Sequence, residues 1–144
     1  MRDPERTFCR TVVRELPAHI VDENDRVVVF LSLENHPLVV PKEQIPDSYA
    51  MPADVGAAVM AQTIKVATAV KQALQCDGVY LRQANEPAAR QDVFHFHLHV
   101  YPCRGDAVRR VVGAFVRTGT DRENVTEAMK AATAAKLSQG LATL

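Results

Sequence analysis

Three of the chain's five histidines occupy alternate positions in Phe94-His95-Phe96-His97-Leu98-His99-Val100. Alternate side chains of an extended strand share a face and stand about 6.6–7 Å apart. The spacing therefore predicts three imidazoles on one face and Phe94, Phe96, Leu98 and Val100 on the other. A strand face that merely meets water mixes Thr, Lys, Glu and Ser, whereas imidazole offers a nucleophile, an acid or base near neutral pH, and a metal ligand. In one chemistry an imidazole attacks an electrophilic phosphorus and its neighbours hydrogen-bond the phosphoryl oxygens. In the other, three nitrogens hold a zinc ion, but ligands about 7 Å apart along a flat strand converge poorly on bonds of about 2.1 Å. The spacing favours phosphorus. Asn85, Gln91 and the loop backbone before the strand can add donors, and no Asp, Glu or Cys cluster adjoins the trio as further ligands.

The elements that position this strand are legible in outline. Cys9 to Leu16 and Arg26 to Leu33 are dominated by β-branched residues, with the turn-forming Asp22-Glu23-Asn24-Asp25 ahead of the second run. They predict an antiparallel pair. Leu38-Val39-Val40 is a third short strand ended by Pro41. Pro52 and Asp54 open a helix running to about Gln75, whose Val55, Val59, Val66, Val70 and Leu74 lie on one side to cover a sheet. A turn at Cys76-Asp77-Gly78 leads to a strand over Val79 to Arg82, a polar loop over Asn85 to Gln91, and the longest strand, Val93 to Tyr101. An alanine-rich helix follows from about Arg122 to Leu137. The expected class is α+β: an antiparallel sheet of about five strands, one long helix and a C-terminal helix.

The 144 residues, 47% hydrophobic and without a composition break, suit a single domain over 1–144. Lys plus Arg and Asp plus Glu are both 17, so net charge gives no reason to expect a nucleic acid partner. Residues 1–10 lack the apolar stretch of a signal peptide, and no window approaches a membrane span, which makes a cytoplasmic protein without a membrane partner the expectation. Cys9, Cys76 and Cys103 are odd in number and form no Cys-x-x-Cys pair, as expected of reduced thiols. Arg104, Arg109 and Arg110 read as a solvated or ion-paired edge, and His19 stands alone. None of these is assigned to the site.

His95 to Tyr101, read as His-φ-His-φ-His-φ-φ with φ apolar, resembles the signature of the histidine triad superfamily of nucleotide hydrolases and transferases. Arg82-Gln83-Ala84-Asn85-Glu86-Pro87 and Gln91-Asp92-Val93 look like the loop ahead of the triad in bacterial members, and His36-Pro37-Leu38-Val39-Val40-Pro41-Lys42 is similar to their His-x-Leu-Val-φ-Pro-Lys strand. With Phe8-Cys9, the resemblance covers about residues 6–104 and leaves a helical extension over about 105–144. It implies a homodimer and a nucleotide substrate, adenosine-containing by expectation, such as a dinucleoside polyphosphate or nucleoside phosphoramidate, and no cofactor. It also implies that His97 is the nucleophile on the α-phosphorus, that His99 and His36 contact phosphate, and that His95 shapes the strand. Asn85 and Gln91 match positions near the ribose and phosphates, and Asp92 falls where relatives often carry Ser or Thr.

The departures carry expectations too. Zinc-holding relatives use two cysteines, a histidine after the Pro-Lys and the first triad histidine, where this chain has Arg6, Cys9, Gln44 and His95, so no metal is expected. The loop from Phe30 to His36 is shortened, and Arg90 replaces a glycine used for close backbone approach to phosphate. Leu31 and Leu33, rather than Phe94 and Phe96, are the candidates to line a base pocket. A nucleotide-binding module without turnover and a histidine-based metal-binding protein stay open as alternatives.

Overall fold

Val27-Val28-Val29-Phe30-Leu31 is an uninterrupted apolar run, which suits a strand covered on both faces. In the computed structural model, which describes residues 7–12, 16–105 and 124–144, that run is β2 (Val27–Leu31) and all five residues are buried. It belongs to a five-stranded antiparallel sheet with β1 (Ile20–Glu23), β3 (Pro37–Pro41), β4 (Gly78–Arg82) and β5 (Leu98–Cys103), in the order β1-β2-β3-β5-β4. Alternation sorts the side chains. Val27, Val29, Leu31, Val39, Leu98 and Val100 form the main core, and Val28, Phe30, Leu38 and Val40 a second cluster.

The long helix α2 (Ala53–Ala73) covers the main core with Val55, Val59, Val66, Ala69 and Val70, at the spacing expected. Its end is tied off by two cations. Lys71 Nζ donates to the carbonyls of Cys76 (2.6 Å) and Asp77 (3.0 Å), and the Arg104 guanidinium donates to those of Leu74 and Gln75. Arg104 thus serves the helix terminus. Arg109 and Arg110 lie outside the described residues. No helix among the described residues is long and apolar enough to cross a membrane.

Three expectations are corrected. Over its first part, the strand expected over Cys9 to Leu16 is replaced by a short helix, α1 (Thr7–Val12); residues 13–15 lie outside the described residues, and the partner of β2 is Ile20–Glu23. The strand preference of β-branched residues yields to context, and here Phe8 and Thr11, three apart, share a helical face that packs inward; Thr11 is buried. The triad strand begins at Leu98 rather than Val93, because the preceding segment is bound crosswise to the chain leaving β3. Phe96 N–H donates to Ile45 O (2.6 Å), and His95 Nε2 to Pro41 O (2.8 Å). Phe96 joins the core as expected, but Phe94 is 38% exposed. The C-terminal helix, α3, spans Glu127–Ala142, about five residues later than its expected bounds at each end.

Helix α3 lies beside α2 and β1 and is an integral part of the core. Leu137 is completely buried, and Ser138 Oγ donates to Val21 O at 2.8 Å. Truncating Leu137→Ala removes buried methyl groups from a site closed by two elements, and should lower unfolding free energy by about 2–5 kcal/mol in urea titration. A loss within about 0.5 kcal/mol would show that α3 packs without contributing to the fold.

Candidate active site

His99 sits opposite Leu38 in the β3–β5 pairing and opposite Arg82 in the β4–β5 pairing, and directly opposed residues of antiparallel strands share a face. The histidine face is therefore the face of the second apolar cluster, away from α2. His36, in the turn entering β3, reaches the same place: its Nε2 lies 2.8 Å from Nδ1 of His99, and its ring packs 4.0 Å from the Tyr101 ring.

Hydrogen-bond directions along this chain of groups assign the tautomers. Ser32 Oγ accepts the backbone N–H groups of Glu34 (3.1 Å) and His36 (3.3 Å), which leaves its own proton for Nδ1 of His36 at 3.0 Å. His36 then carries its proton on Nε2 and donates to Nδ1 of His99. The Tyr101 hydroxyl, itself hydrogen-bonded by Arg82, stands 3.3 Å from that same nitrogen. His99 is thus an acceptor at Nδ1 and holds its proton on Nε2.

His97 is oriented by the backbone. Its Nδ1 lies 2.8 Å from the carbonyl oxygen of His95, which can only accept, so the proton is on Nδ1 and the lone pair on Nε2. Phe8 from α1 sets its ring edge-on to His97 at 4.9 Å, and the His97 and His99 rings are 5.0 Å apart. His95 is fully buried, donates to Pro41 O and serves to bind β3's exit to this segment. The three histidines therefore do not stand in one line: His95 lies beneath, with His97 and His99 beside His36.

Burial keeps these rings uncharged. Desolvation, with the charge of Arg82 and the neighbouring His97, holds His36 down to about 3; desolvation, then His36, His97 and Arg82, holds His99 at about 2. His97 is lowered by burial, against the opposing pull of its bond to His95 O and the Asp92 carboxylate.

The other expected site residues work through the loop. Asn85 Oδ1 accepts from Ser48 N (2.9 Å) and from Gln83 Nε2 (2.6 Å), and its Nδ2 donates to Ser48 Oγ at 2.6 Å. Buried Gln91 donates to the carbonyls of Pro46 (2.6 Å) and Val93 (3.2 Å) and accepts from Glu86 N at 2.7 Å. Both amides are spent on bracing 83–93 against 46–48. Asp92 is exposed and reaches His97 only by its charge. The braced loop is strained: Arg90 has φ 66°, and Glu86 has φ 70° with ψ 158°, a region that glycine alone enters freely. In the shortened turn before His36, Asn35 takes the left-handed conformation at φ 65°.

Among the described residues no group of three or more His, Cys, Asp or Glu is placed to hold a metal ion. Of the four zinc-equivalent positions, Arg6 and the Cys9 side chain lie outside the described residues. Leu31 is buried in the main core and Leu33 is 61% exposed, so neither lines the histidine face. The apolar groups beside the histidines are Phe8, Phe30, Leu38 and Val40. Sequence reasoning left Ser32, Arg82 and Tyr101 unassigned. Tyr101 carried a signal, since it continues the alternation of the triad, but only strand register brings Arg82 to His99.

The HIT domain family model matches residues 13–106. A HIT-like protein of Mycobacterium tuberculosis is 31% identical over 121 residues, 81% of this chain and 84% of that protein. A Hit-like protein involved in cell-cycle regulation from Bartonella henselae has a solved structure that superposes with a TM-score of 0.80 at 26% identity, covering 97% of this chain and 99% of that one. An adenylylsulfatase of Arabidopsis thaliana is 29% identical over 99 residues, 66% of this chain and 50% of that protein.

Replacing Glu86→Gly removes the backbone strain at φ 70° and should raise unfolding free energy by about 1 kcal/mol, read by urea titration. A lower stability would mean that the carboxylate side chain outweighs the strain. Protonation acts on the same scale. His36 and His99 titrate lower folded than unfolded, so below pH 6.5 the unfolded chain binds protons first. Stability should be level above that pH and fall between pH 6.5 and 5 by up to about 1.4 kcal/mol per pH unit for each ring. Equal stability at pH 7 and pH 5 would contradict uncharged buried rings.

Proposed function

The chain belongs to the HIT domain family, and on that premise we propose that it is a nucleotide hydrolase or transferase that breaks the bond between a nucleoside α-phosphate and its leaving group through a nucleotidyl intermediate on His97. The observation that carries this reading is the 2.8 Å bond from His97 Nδ1 to the His95 carbonyl, which leaves Nε2 with its lone pair. Burial favours the uncharged ring, so the nucleophile is available at neutral pH.

In the first step Nε2 bonds to the α-phosphorus while the bond to the leaving group breaks, and its electron pair departs with that group. In the second, the oxygen of water or another acceptor bonds to phosphorus and releases its proton to solvent. The P–N bond returns its electrons to Nε2, and hydrolysis yields the nucleoside monophosphate. The proton on His99 Nε2 is available to a phosphoryl oxygen, with His36 holding that tautomer by its 2.8 Å bond to Nδ1. His95 is a positioning residue for His97. Asn85 and Gln91 hold the loop that carries Asp92, and half-buried Phe8, packed edge-on against Phe30 and His97, is the apolar ring that a purine base can meet beside the histidines. The Arabidopsis relative's description as an adenylylsulfatase agrees with a nucleotide that carries an α-phosphoryl leaving group.

AMP release from adenosine phosphoramidate and diadenosine polyphosphates tests the reading. His97→Ala and His97→Asn should each lower turnover by about a thousandfold or more with the far-ultraviolet circular dichroism unchanged. Unimpaired turnover in either variant rejects the nucleotidyl-His97 step. AMP binding by the wild type without turnover of any of these substrates would make the chain a nucleotide-binding module instead.

A further inference from the structure

The hairpin that joins β2 to β3 ties His36 to Ser32 by three hydrogen bonds. Ser32 N–H donates to His36 O (2.9 Å), Ser32 Oγ accepts the His36 N–H (3.3 Å), and the Ser32 hydroxyl proton goes to His36 Nδ1 (3.0 Å). Leu31 and Pro37 pair directly outside these two residues, so the turn is closed immediately behind the ring. His36 Nε2 meets His99 Nδ1 at 2.8 Å, and the Tyr101 ring packs against both imidazoles, with centroids 4.0 Å from His36 and 5.3 Å from His99.

A single proton lies between His36 Nε2 and His99 Nδ1, and two arrangements of it satisfy that bond. With the proton on His36, His99 carries its own on Nε2 and offers a donor to a phosphoryl oxygen. With the proton on His99 Nδ1, Nε2 presents a lone pair, which repels that oxygen. The bond itself is the same in both, so groups at the ends of the network make the choice. Ser32 Oγ accepts two backbone N–H groups, from Glu34 (3.1 Å) and His36 (3.3 Å), and these fill both of its lone pairs. It can give His36 Nδ1 a proton but cannot take one.

We propose that Ser32 is a positioning residue for the phosphate donor His99: its hydroxyl, acting through His36, selects the arrangement in which His99 bears its proton on Nε2. The proposal rests on the nucleotidyl-His97 reading and adds a residue to the site that reading describes. In the opposite arrangement the Ser32 hydroxyl proton loses its acceptor, and a His36 Nδ1–H faces an oxygen with no lone pair left, in a buried place where unpaired groups are costly. The Tyr101 hydroxyl, 3.3 Å from His99 Nδ1, adds a second group that can donate to the same nitrogen. A third arrangement, with an imidazolium in the pair, is opposed by the burial that holds both rings uncharged.

Imidazole 15N resonances separate a proton-bearing nitrogen from a bare one, so the tautomer of His99 is read at neutral pH without substrate. Wild type and Ser32→Thr, which keeps the hydroxyl, should carry the proton on Nε2, and Ser32→Ala should divide it between the two nitrogens. Loss of one donor to a developing oxyanion costs about a hundredfold or more in kcat, so an even division should lower kcat for AMP release from adenosine 5′-phosphoramidate by about twofold, with recovery in Ser32→Thr. A proton that stays on Nε2 in Ser32→Ala, or lies on Nδ1 in wild type, overturns the proposal. So does an unchanged kcat beside a divided proton, or a loss in Ser32→Thr equal to that in Ser32→Ala. Ser32→Cys, whose thiol is a weak donor, replaces Ser32→Ala if the latter fails to fold. If wild type turns over no substrate, the His97 step fails, and the 15N comparison alone then decides whether Ser32 sets the His99 tautomer.

Discussion

The pairing of β3 with β5 carries the rest of the structure. Only two registered pairs, Leu38 with His99 and Val39 with Leu98, join the β1-β2-β3 half of the sheet to the β5-β4 half. A slip of one residue would exchange the two faces, driving His99 under α2 and bringing Leu98 and Val100 out. Neither face tolerates this. The α2 face presents Val55, Val59, Val66, Ala69 and Val70 to the sheet, and a buried polar group left unpaired costs about 1–3 kcal/mol. Both contacts that select the correct register also build the site. Leu38 completes the buried apolar cluster beneath the histidines, and His36 at the entry to β3 meets the nitrogen of His99.

Within that register the chemistry depends on keeping imidazoles neutral in a buried place. The Ser32 hydroxyl, His36, His99 and the Tyr101 hydroxyl form one continuous line of donors and acceptors, with each proton assigned by the group before it. Such a network is stable only when every member is satisfied, and a charge introduced into it would be both desolvated and placed beside Arg82. His97 lies at the edge of the network, held by a carbonyl rather than by another titrating group. Its neutral form and the direction of its free nitrogen have separate causes: burial for the first and the backbone for the second.

Rigidity is purchased locally with strain. The segment from Asn85 to His97 is fastened to residues 41–48 through Asn85, Gln91, His95 and the Phe96 amide, and Glu86 and Arg90 are held where glycine would rest more easily. The loop turns sharply at both ends of its short 3₁₀ turn at Pro87–Ala89. This allows the chain to leave β4 at Arg82, cross to the end of β3, where His95 bonds Pro41 O, and enter the neighbouring strand β5 after His97.

Sequence alone determined the alternation that separates the imidazole face from the apolar face, because the period of two is a property of the extended backbone. It also determined the long helix, whose Val55, Val59, Val66 and Val70 repeat at helical spacing, and the resemblance that singled out His97. It misplaced α1, because Thr11-Val12-Val13 favours strands in isolation and only contact with the histidine face makes Phe8 and Thr11 a helical surface. It ran the triad strand back to Val93, because the cross-links that end the ladder come from residues fifty positions away. The roles of Ser32, Tyr101 and Arg82, and the burial that neutralises His36 and His99, belong to the tertiary structure. Register, desolvation and the direction of a shared proton are set by groups distant in the chain, and no local pattern encodes them.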